Sequence, residues 1–278
     1  MSVHLSGSAK NLLDQARGLF IPLLVLIIWQ GVTANGWVNP HILPSPLKVV
    51  MKWWEYLMPL TPYQEGGYFT WLVSGELIQD AYASLFRVIG GFAMGTAIAL
   101  PLGLLMGANR QVYSLLNPLF QLLRPIPPIA YIPLAILWFG LGNPPAFFLI
   151  SMGAFFPVLM NTIAGVKNVD SIYLRVARNL GAGKFTTFTR IIVPAAMPYI
   201  LTGMRIGMGT AFIVVIVAEM IAVNNGLGYR ILEAREYMWS DKIIAGMFTI
   251  GLFGLGIDGI MNLLNNHLLR WRSGIDQR

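Results

Sequence analysis

Residues 175–198 read R-V-A-R-N-L-G-A-G-K-F-T-T-F-T-R-I-I-V-P-A-A-M-P, a polar and basic stretch between two apolar segments. The apolar segments cover residues 145–166 and 206–223, and an α-helix needs roughly 20 apolar residues to cross the hydrocarbon layer of a membrane. The pattern predicts two membrane-spanning helices joined by a structured loop. The basic side chains make that loop a candidate docking surface for a cytoplasmic partner.

The composition of the whole chain supports a membrane protein. Its 278 residues are 56% hydrophobic and only 11% charged, and the mean hydropathy is +0.64, whereas a soluble domain has about 25% charged residues. Further apolar segments cover residues 19–34, 88–106, 115–137 and 243–264, of which 115–137 is interrupted by prolines. The sequence therefore predicts an all-α integral membrane protein with about six transmembrane helices.

The amino-terminal apolar segment could also be a signal peptide. Lys10 and Arg17 precede residues 19–34, but no clear small-x-small cleavage site follows them. This pattern favours a retained first helix.

The distribution of charge predicts the orientation in the membrane. With the amino terminus inside, the loop 167–198 and both termini are cytoplasmic, and the positive-inside rule is satisfied. The cytoplasmic basic residues are then Lys10, Arg17, Arg110, Lys167, Arg175, Arg178, Lys184, Arg190, Arg270, Arg272 and Arg278, against Lys48, Lys52, Arg230, Arg235 and Lys242 outside. The acidic residues have the opposite distribution. Those outside are Glu55, Glu65, Glu76, Asp80, Glu233, Glu236 and Asp241, and those inside are Asp14, Asp170 and Asp276.

The chain divides into four regions on this basis. Residues 1–18 are a cytoplasmic lead, and 19–34 form the first transmembrane helix. Residues 35–80 are a periplasmic segment in which Pro46 starts a short interfacial helix rich in tryptophan. Residues 81–278 are a core with five transmembrane helices and the cytoplasmic loop.

Glycines and prolines predict how the helices pack. Gly91 with Gly95, Gly103 with Gly107 and Gly203 with Gly207 are small-xxx-small pairs, which let helix backbones approach closely. The prolines of 124–133 prevent a regular helix, and broken backbone at membrane depth survives only beside protein or a cavity. We therefore expect this segment to pack inside the bundle and away from lipid.

Most chemistry that would make this chain an enzyme is absent from its sequence. There is no cysteine, and His4, His41 and His267 are scattered, so no metal site or catalytic residue is predicted. The run G-A-G-K-F-T at 181–186 fails as a phosphate loop because Arg178 and Phe185 stand where glycine and Ser/Thr are needed. No basic run is interleaved with aromatics as in a nucleic-acid platform.

Ionisable residues in or near spans are functional candidates by default. Arg87, Arg124, Arg205 and Glu219 are candidates for a translocation pathway. Alternatives remain open: the arginines could anchor at interfaces, and Glu219 could pair with an arginine or cap the N-N-G-L-G turn that follows. Asp258 is expected to make an internal structural hydrogen bond.

The loop resembles the signature of the permease subunits of ABC importers, E-A-A, three residues, G, nine residues, I-x-L-P. Ala177, Gly181, Ile191 and Pro194 match, and valine replaces leucine at 193. Arg175 stands in place of the acid, so no role of that acid can be transferred. The resemblance implies a type I permease fold whose loop forms a coupling helix. The ATPase-coupling candidates are Arg175, Ala177, Arg178, Gly181, Ala182, Lys184, Phe185, Ile191 and Pro194.

Further motifs resemble the branch that imports nitrate, bicarbonate, taurine and other sulfonates, among them H-I-L-P-S-P, L-L-R-P-I-P-P-I-A and V-A-E-M-I. The resemblance implies a multi-pass protein of the bacterial inner membrane and an ATP-driven uptake system for a small anion. It implies ATP-hydrolysing subunits that bind ATP and Mg, a periplasmic or lipid-anchored binding protein, and a second permease copy, with no cofactor in this chain.

Two other classes of protein and one other role for the loop are alternatives. A secondary transporter or channel would need acid or histidine relays or inverted repeats, and an integral membrane enzyme would need a clustered site. The loop itself could instead be a basic amphipathic hairpin that rests on anionic lipid.

Overall fold

The computed structural model describes residues 7–59 and 67–269, and within these ranges all regular structure is helical. A 3₁₀ turn covers Pro128–Tyr131, and a π-helical turn covers Phe188–Ile192. The α-helices of the described ranges are α1 Gly7–Ala34, α2 Pro46–Leu57, α3 Tyr68–Val73, α4 Glu76–Ala108, α5 Arg110–Leu123, α6 Ile132–Phe139, α7 Asn143–Lys167, α8 Ser171–Asn179, α9 Lys184–Thr187, α10 Val193–Ala222, α11 Leu227–Glu236 and α12 Ser240–Leu268. This architecture confirms the predicted all-α fold class.

The predicted spans correspond to helices of unequal length. Within the described ranges, α4, α7, α12 and the continuous run Lys184–Ala222 are long and apolar enough to cross a membrane. The predicted span 115–137 is instead two helical pieces bent by 83° at the prolines, and the first span is reduced to the shorter apolar segment Phe20–Ala34. Among the described residues, length and composition thus support four spans, or five if the bent pair counts as one.

The predicted loop 167–198 is also shorter than expected. Helix resumes at Lys184 and continues through the π-helical turn into α10, so the second half of the predicted loop is helical. Pro194 lies in the first turn of α10 and has no N–H to donate to the Arg190 carbonyl, which suits a wider turn at this join.

Close packing through glycine joins α4 to α7 and α7 to α10. A Cβ placed on Gly91 would lie 2.6 Å from the Ile150 side chain, and one on Gly103 would lie 2.7 Å from Thr162. On the other side of α7, a Cβ on Gly203 would lie 2.6 Å from Asn161. The predicted small-xxx-small contacts are therefore confirmed, and α7 is the central helix of this group.

We expect Gly95→Ala to destabilise the protein by about 1–3 kcal/mol, the usual effect of overpacking. A Cβ at Gly95 would lie 2.4 Å from the backbone oxygen of Ser151, which cannot rotate away. Gly209→Ala in α10 is the matched control, since nothing lies within 4 Å of its Cβ position. Thermal unfolding of both variants in one detergent checks the prediction, and equal melting temperatures would contradict it.

The chain forms two compact units, of which the first contains Met1–Glu76 and Glu233–Phe248. Within it, the Trp29 indole donates to the Pro44 carbonyl at 3.0 Å, and Ser45 caps α2. Helix α2 begins at Pro46 as predicted. The Glu55 carboxylate accepts a hydrogen bond from Lys52 at 2.8 Å and raises the pKa of that ammonium group. An interfacial position for α2 stays a prediction.

The second unit contains Leu77–Leu232 and Thr249–Arg278, and it holds the glycine-packed helices. Its core includes small fully buried residues, among them Ala99 of α4, Ala154 of α7 and Ala211 of α10. The charged residues Glu65, Arg270, Arg272, Asp276 and Arg278, together with His4, lie outside the described residues.

Candidate functional site

Residues 171–192, which we name the docking segment, form a helix, a tight turn and a second helix. Helix α8 is capped at its start by the Asp170 carboxylate, which accepts a hydrogen bond from the Ile172 amide at 2.8 Å. It ends at Asn179, and Gly181, two residues further on, has a φ of +71° in the left-handed region. The Gly181 amide donates to the Arg178 carbonyl and the Ala182 amide to the Ala177 carbonyl, both at 3.0 Å.

These two hydrogen bonds form a Schellman motif, the common helix ending in which glycine takes the left-handed position. Gly181 therefore provides a tight turn at this position. The buried Ala177 lies in the last turn of α8. The spacing of Ala177 and Gly181 in the signature is the spacing that this helix ending requires.

The docking segment exposes apolar and basic side chains. Leu180 and Phe185 are each 80% exposed, and Tyr173 is 56% exposed. The sequence contains no acidic residue from 171 to 192. Exposed basic residues of the segment are Arg175, Arg178, Lys184 and Arg190.

The remaining coupling candidates differ in exposure, and Pro194 is exposed. Ala182 and Ile191 are half-buried, and Pro194 follows in the first turn of α10. Arg175 donates to the Ser171 hydroxyl at 2.9 Å on the same helix face, and Arg178 lies three residues further on. The exposed surface is thus built around Leu180 and Phe185, while Ile191 and Pro194 form the join to α10.

Arg87 and Glu219 form a buried ion pair. Their side chains are 3% and 0% exposed, and Arg87 Nη1 donates to Glu219 Oε1 at 2.7 Å. Glu219 Oε2 also accepts from the Ser84 hydroxyl at 2.8 Å and from the Gly228 amide at 3.0 Å. Arg87 Nε donates to Asn143 Oδ1 at 2.8 Å. The pair therefore connects α4, the start of α7, the end of α10 and the start of α11.

The turn that follows α10 is held by the same group of charges. Arg87 donates to the backbone and side-chain oxygens of Asn225. The buried Asp80 carboxylate accepts from the Gly226 amide and from Arg230 Nε, both at 2.9 Å. Gly226 has a φ of +107°, and a Cβ on it would lie 2.5 Å from the Glu219 carboxylate, so glycine is required there.

Arg87 and Glu219, which the sequence groups with the pathway candidates, lie in the packed interior of the single chain, and a pathway role for them stays a prediction. The alternative for Glu219 is confirmed in both parts, because it pairs with an arginine and accepts from the backbone of the following turn. The sequence did not identify Ser84, Asn143 and Asn225 as hydrogen-bond partners of this ion pair. The N-N-G-L-G turn that follows Glu219 was the one available sign that polar groups meet there.

Arg205 and Asp258 form a second, partly exposed pair between α10 and α12. Arg205 Nε and Nη2 each donate to one oxygen of Asp258 at 2.9 Å. The side chains are 40% and 57% exposed. Asp258 makes structural hydrogen bonds, with Arg205 as their donor, but in a partly exposed position and not in the interior as the sequence predicted.

Arg124 lies at the break between α5 and the 3₁₀ turn and lines a cavity of about 520 Å³. The other walls come from the proline segment, α7 and α10, and they include Pro127, Met152, Phe156 and Ile206. The broken backbone therefore borders a cavity, whereas the sequence predicted packing inside the bundle. In the single chain it is not enclosed, because residues 124–127 are exposed.

Within the described ranges, no three His, Asp or Glu side chains form a group that could hold a metal ion. The carboxylates of the buried charges are instead held by arginines, a hydroxyl and backbone amides. The described residues offer two candidate functional surfaces, the docking segment and the Arg124 cavity.

Comparisons with known proteins agree on one family. The model of the family described as binding-protein-dependent transport system inner membrane component matches residues 99–272. A protein of Methanocaldococcus jannaschii named as an ABC transporter permease is 41% identical over 255 residues, which cover 91% of this chain and 90% of that protein. The bicarbonate transport system permease protein CmpB of Synechococcus elongatus is 35% identical over 266 residues, covering 94% and 93%.

A solved structure supports the fold. The inward-facing MetNI methionine ABC transporter contains a chain that superposes with a TM-score of 0.63, covering 70% of this chain and 97% of that chain at 16% identity. The family match includes the docking segment, the cavity and Glu219, and it begins after Arg87.

Proposed function

The chain belongs to the family of binding-protein-dependent transport system inner membrane components, the permease subunits of ABC importers, and we propose that it moves a small anion by ATP-driven alternating access. Nitrate, bicarbonate, taurine and other sulfonates are the candidate substrates. The observation that carries the proposal is the docking segment, a Schellman-closed helix that presents exposed apolar and basic side chains.

The docking segment would bind the ATP-hydrolysing subunits. Phe185 and Leu180 are suited to insert into an apolar groove, because exposed aromatic and apolar side chains serve as interface anchors when a partner buries them. Arg175, Arg178 and Lys184 would face an acidic rim. The partner subunits would bind ATP and Mg and carry out hydrolysis, since the 181–186 run lacks the phosphate-loop pattern.

The cavity at Arg124 would form this chain's half of the pathway, and a second permease copy would form the other half. Its single arginine favours anions by charge attraction. A periplasmic or lipid-anchored binding protein would deliver the substrate, and the docking segment and both termini would face the cytoplasm, as the charge distribution favours.

The paired carboxylates of Glu219 and Asp258 weigh against a secondary transporter. Glu219 is neutralised by Arg87 and Asp258 by Arg205. A proton relay needs acids that can change their charge, and these two acids are engaged in pairs.

We expect Phe185→Ala to weaken binding of the ATP-hydrolysing subunit at least tenfold, because it removes an apolar anchor that would be buried on docking. Co-purification of the two subunits over a concentration series measures the change. Leu115→Ala is the matched control, since Leu115 is 78% exposed but lies on α5. Wild-type association of the Phe185→Ala variant, with ATP-dependent uptake intact, would remove the docking segment from the proposal.

A further inference from the structure

The described arginines of the helical core differ in one respect, the presence of a counter-charge. Arg87, Arg205 and Arg230 each meet a carboxylate oxygen at 2.7–2.9 Å. Arg124 has no hydrogen-bond or ion-pair partner for its side chain among residues 7–59 and 67–269. The cavity that it lines therefore contains one positive charge that this part of the chain does not compensate.

The walls of the cavity are otherwise poor in free donors. Asn161 Nδ2 donates to the Pro157 carbonyl at 2.8 Å, which leaves one amide hydrogen, and the Thr210 hydroxyl lies 2.7 Å from the Gly153 carbonyl. Most of the remaining surface is apolar, with Met152, Phe156 and Met160 among the lining residues. The cavity thus combines one cationic point with an extended apolar wall.

The position of Arg124 is held by the proline segment. Pro125, Pro127 and Pro128 have fixed φ angles and no N–H, so α5 ends at Leu123 and the backbone turns before the 3₁₀ helix. The resulting bend of 83° brings this backbone to the cavity beside α7 and α10. A cavity of about 520 Å³ is in the usual range for small-molecule sites.

From this arrangement we infer that the permease itself holds a saturable binding site for an amphiphilic organic monoanion. The head group, a sulfonate or carboxylate, contacts the Arg124 guanidinium and the free Asn161 amide hydrogen. The short aliphatic or aromatic body lies against Met152, Phe156 and Met160. The inference rests on the proposed function. It adds a step at which the permease itself selects the anion, after the binding protein has delivered it.

The same chemistry disfavours fully polar oxyanions at this site. Nitrate and bicarbonate accept hydrogen bonds in several directions, and unpaired polar groups in an apolar setting are costly. Here the described lining offers few free donors, the Arg124 guanidinium and one Asn161 amide hydrogen, and is otherwise largely apolar. An amphiphilic anion gives its charge to those donors and buries its body against the apolar lining.

The test is direct binding of n-alkanesulfonates, from propane- to hexanesulfonate, to the purified permease–ATPase complex without binding protein. We expect the affinity to rise two- to fourfold per added methylene. Hexanesulfonate should bind at least ten times more weakly to Arg124→Gln, since a hydrogen-bonded charge pair is lost. Arg124→Lys should retain part of the affinity. Arg110→Gln, with the same loss of charge at the other end of α5, should bind like wild type.

Three results would overturn the inference: affinity that does not depend on chain length, equal binding to Arg124→Gln and wild type, or nitrate binding as tightly as hexanesulfonate. Hexanol serves as the neutral probe and should not compete. The measurements are repeated in nanodiscs with and without phosphatidylglycerol, and loss of binding in the anionic lipid would assign the site to lipid head groups instead. ATP-dependent uptake is scored separately, so failure of the importer proposal and failure of this site are distinguishable.

Discussion

Replacing Arg87 by methionine should destabilise the protein by about 3–5 kcal/mol, because it leaves the Glu219 carboxylate buried without its positive partner. Glu219 is 0% exposed, so water cannot take the place of the guanidinium. The change also removes the donors to Asn143 and Asn225, which hold the start of α7 and the turn after α10. Thermal or chemical unfolding in a single detergent measures the loss.

The control for this variant is the ion pair on α2. Lys52 and Glu55 lie 2.8 Å apart, close to the 2.7 Å of the buried pair, but their side chains are 37% and 65% exposed. Exposed pairs contribute roughly 0–1 kcal/mol, so Lys52→Ala should be nearly neutral. If Arg87→Met and Lys52→Ala had the same stability, the buried pair would not support the fold in the way its geometry indicates.

A double variant separates the charge from the packing. Arg87→Met with Glu219→Gln removes both charges and keeps side chains of similar volume. Replacing a buried ion pair by neutral residues is often close to neutral in energy. The double variant should therefore be more stable than Arg87→Met alone. A double variant that is less stable than either single variant would show that packing, and not the uncompensated charge, causes the loss.

The features that could be read from the sequence are local or periodic. Apolar segment length identifies α4, α7 and α12, and the four-residue spacing of Gly91 and Gly95 identifies the face of α4 that contacts α7. The prolines of 124–133 predict a broken helix. Each of these features can be recognised within a stretch of chain no longer than one helix. It can therefore be predicted without knowing which helices pack against that stretch.

The charged contacts could not be read in this way. Arg87 and Glu219 are 132 residues apart, and Asp80 and Arg230 are 150 apart. Which arginine meets which carboxylate is decided by the packing of α4 against α7 and α10. In the sequence, Arg87, Arg124 and Arg205 are equivalent candidates. Only the folded chain separates Arg124, which lines the cavity, from the two that are neutralised.

Gly181→Ala should reduce the affinity for the ATP-hydrolysing subunit about tenfold, and Gly183→Ala should leave it unchanged. Both glycines have no atom within 4 Å of their Cβ positions, so neither substitution causes a clash. They differ in backbone conformation: Gly181 has a φ of +71° and Gly183 a φ of −65°. A residue with a Cβ costs about 1–2 kcal/mol in the left-handed region, and 1.4 kcal/mol is a tenfold change in binding.

Gly181→Asn completes the comparison, because asparagine tolerates the left-handed conformation better than other residues with a Cβ. It should bind the ATP-hydrolysing subunit more tightly than Gly181→Ala although its side chain is larger. The order glycine, asparagine, alanine at 181 is expected only if the turn between α8 and α9 must keep its shape to dock. An order that follows side-chain size would mean instead that position 181 touches the partner directly, since conformational strain and steric exclusion rank asparagine and alanine in opposite ways.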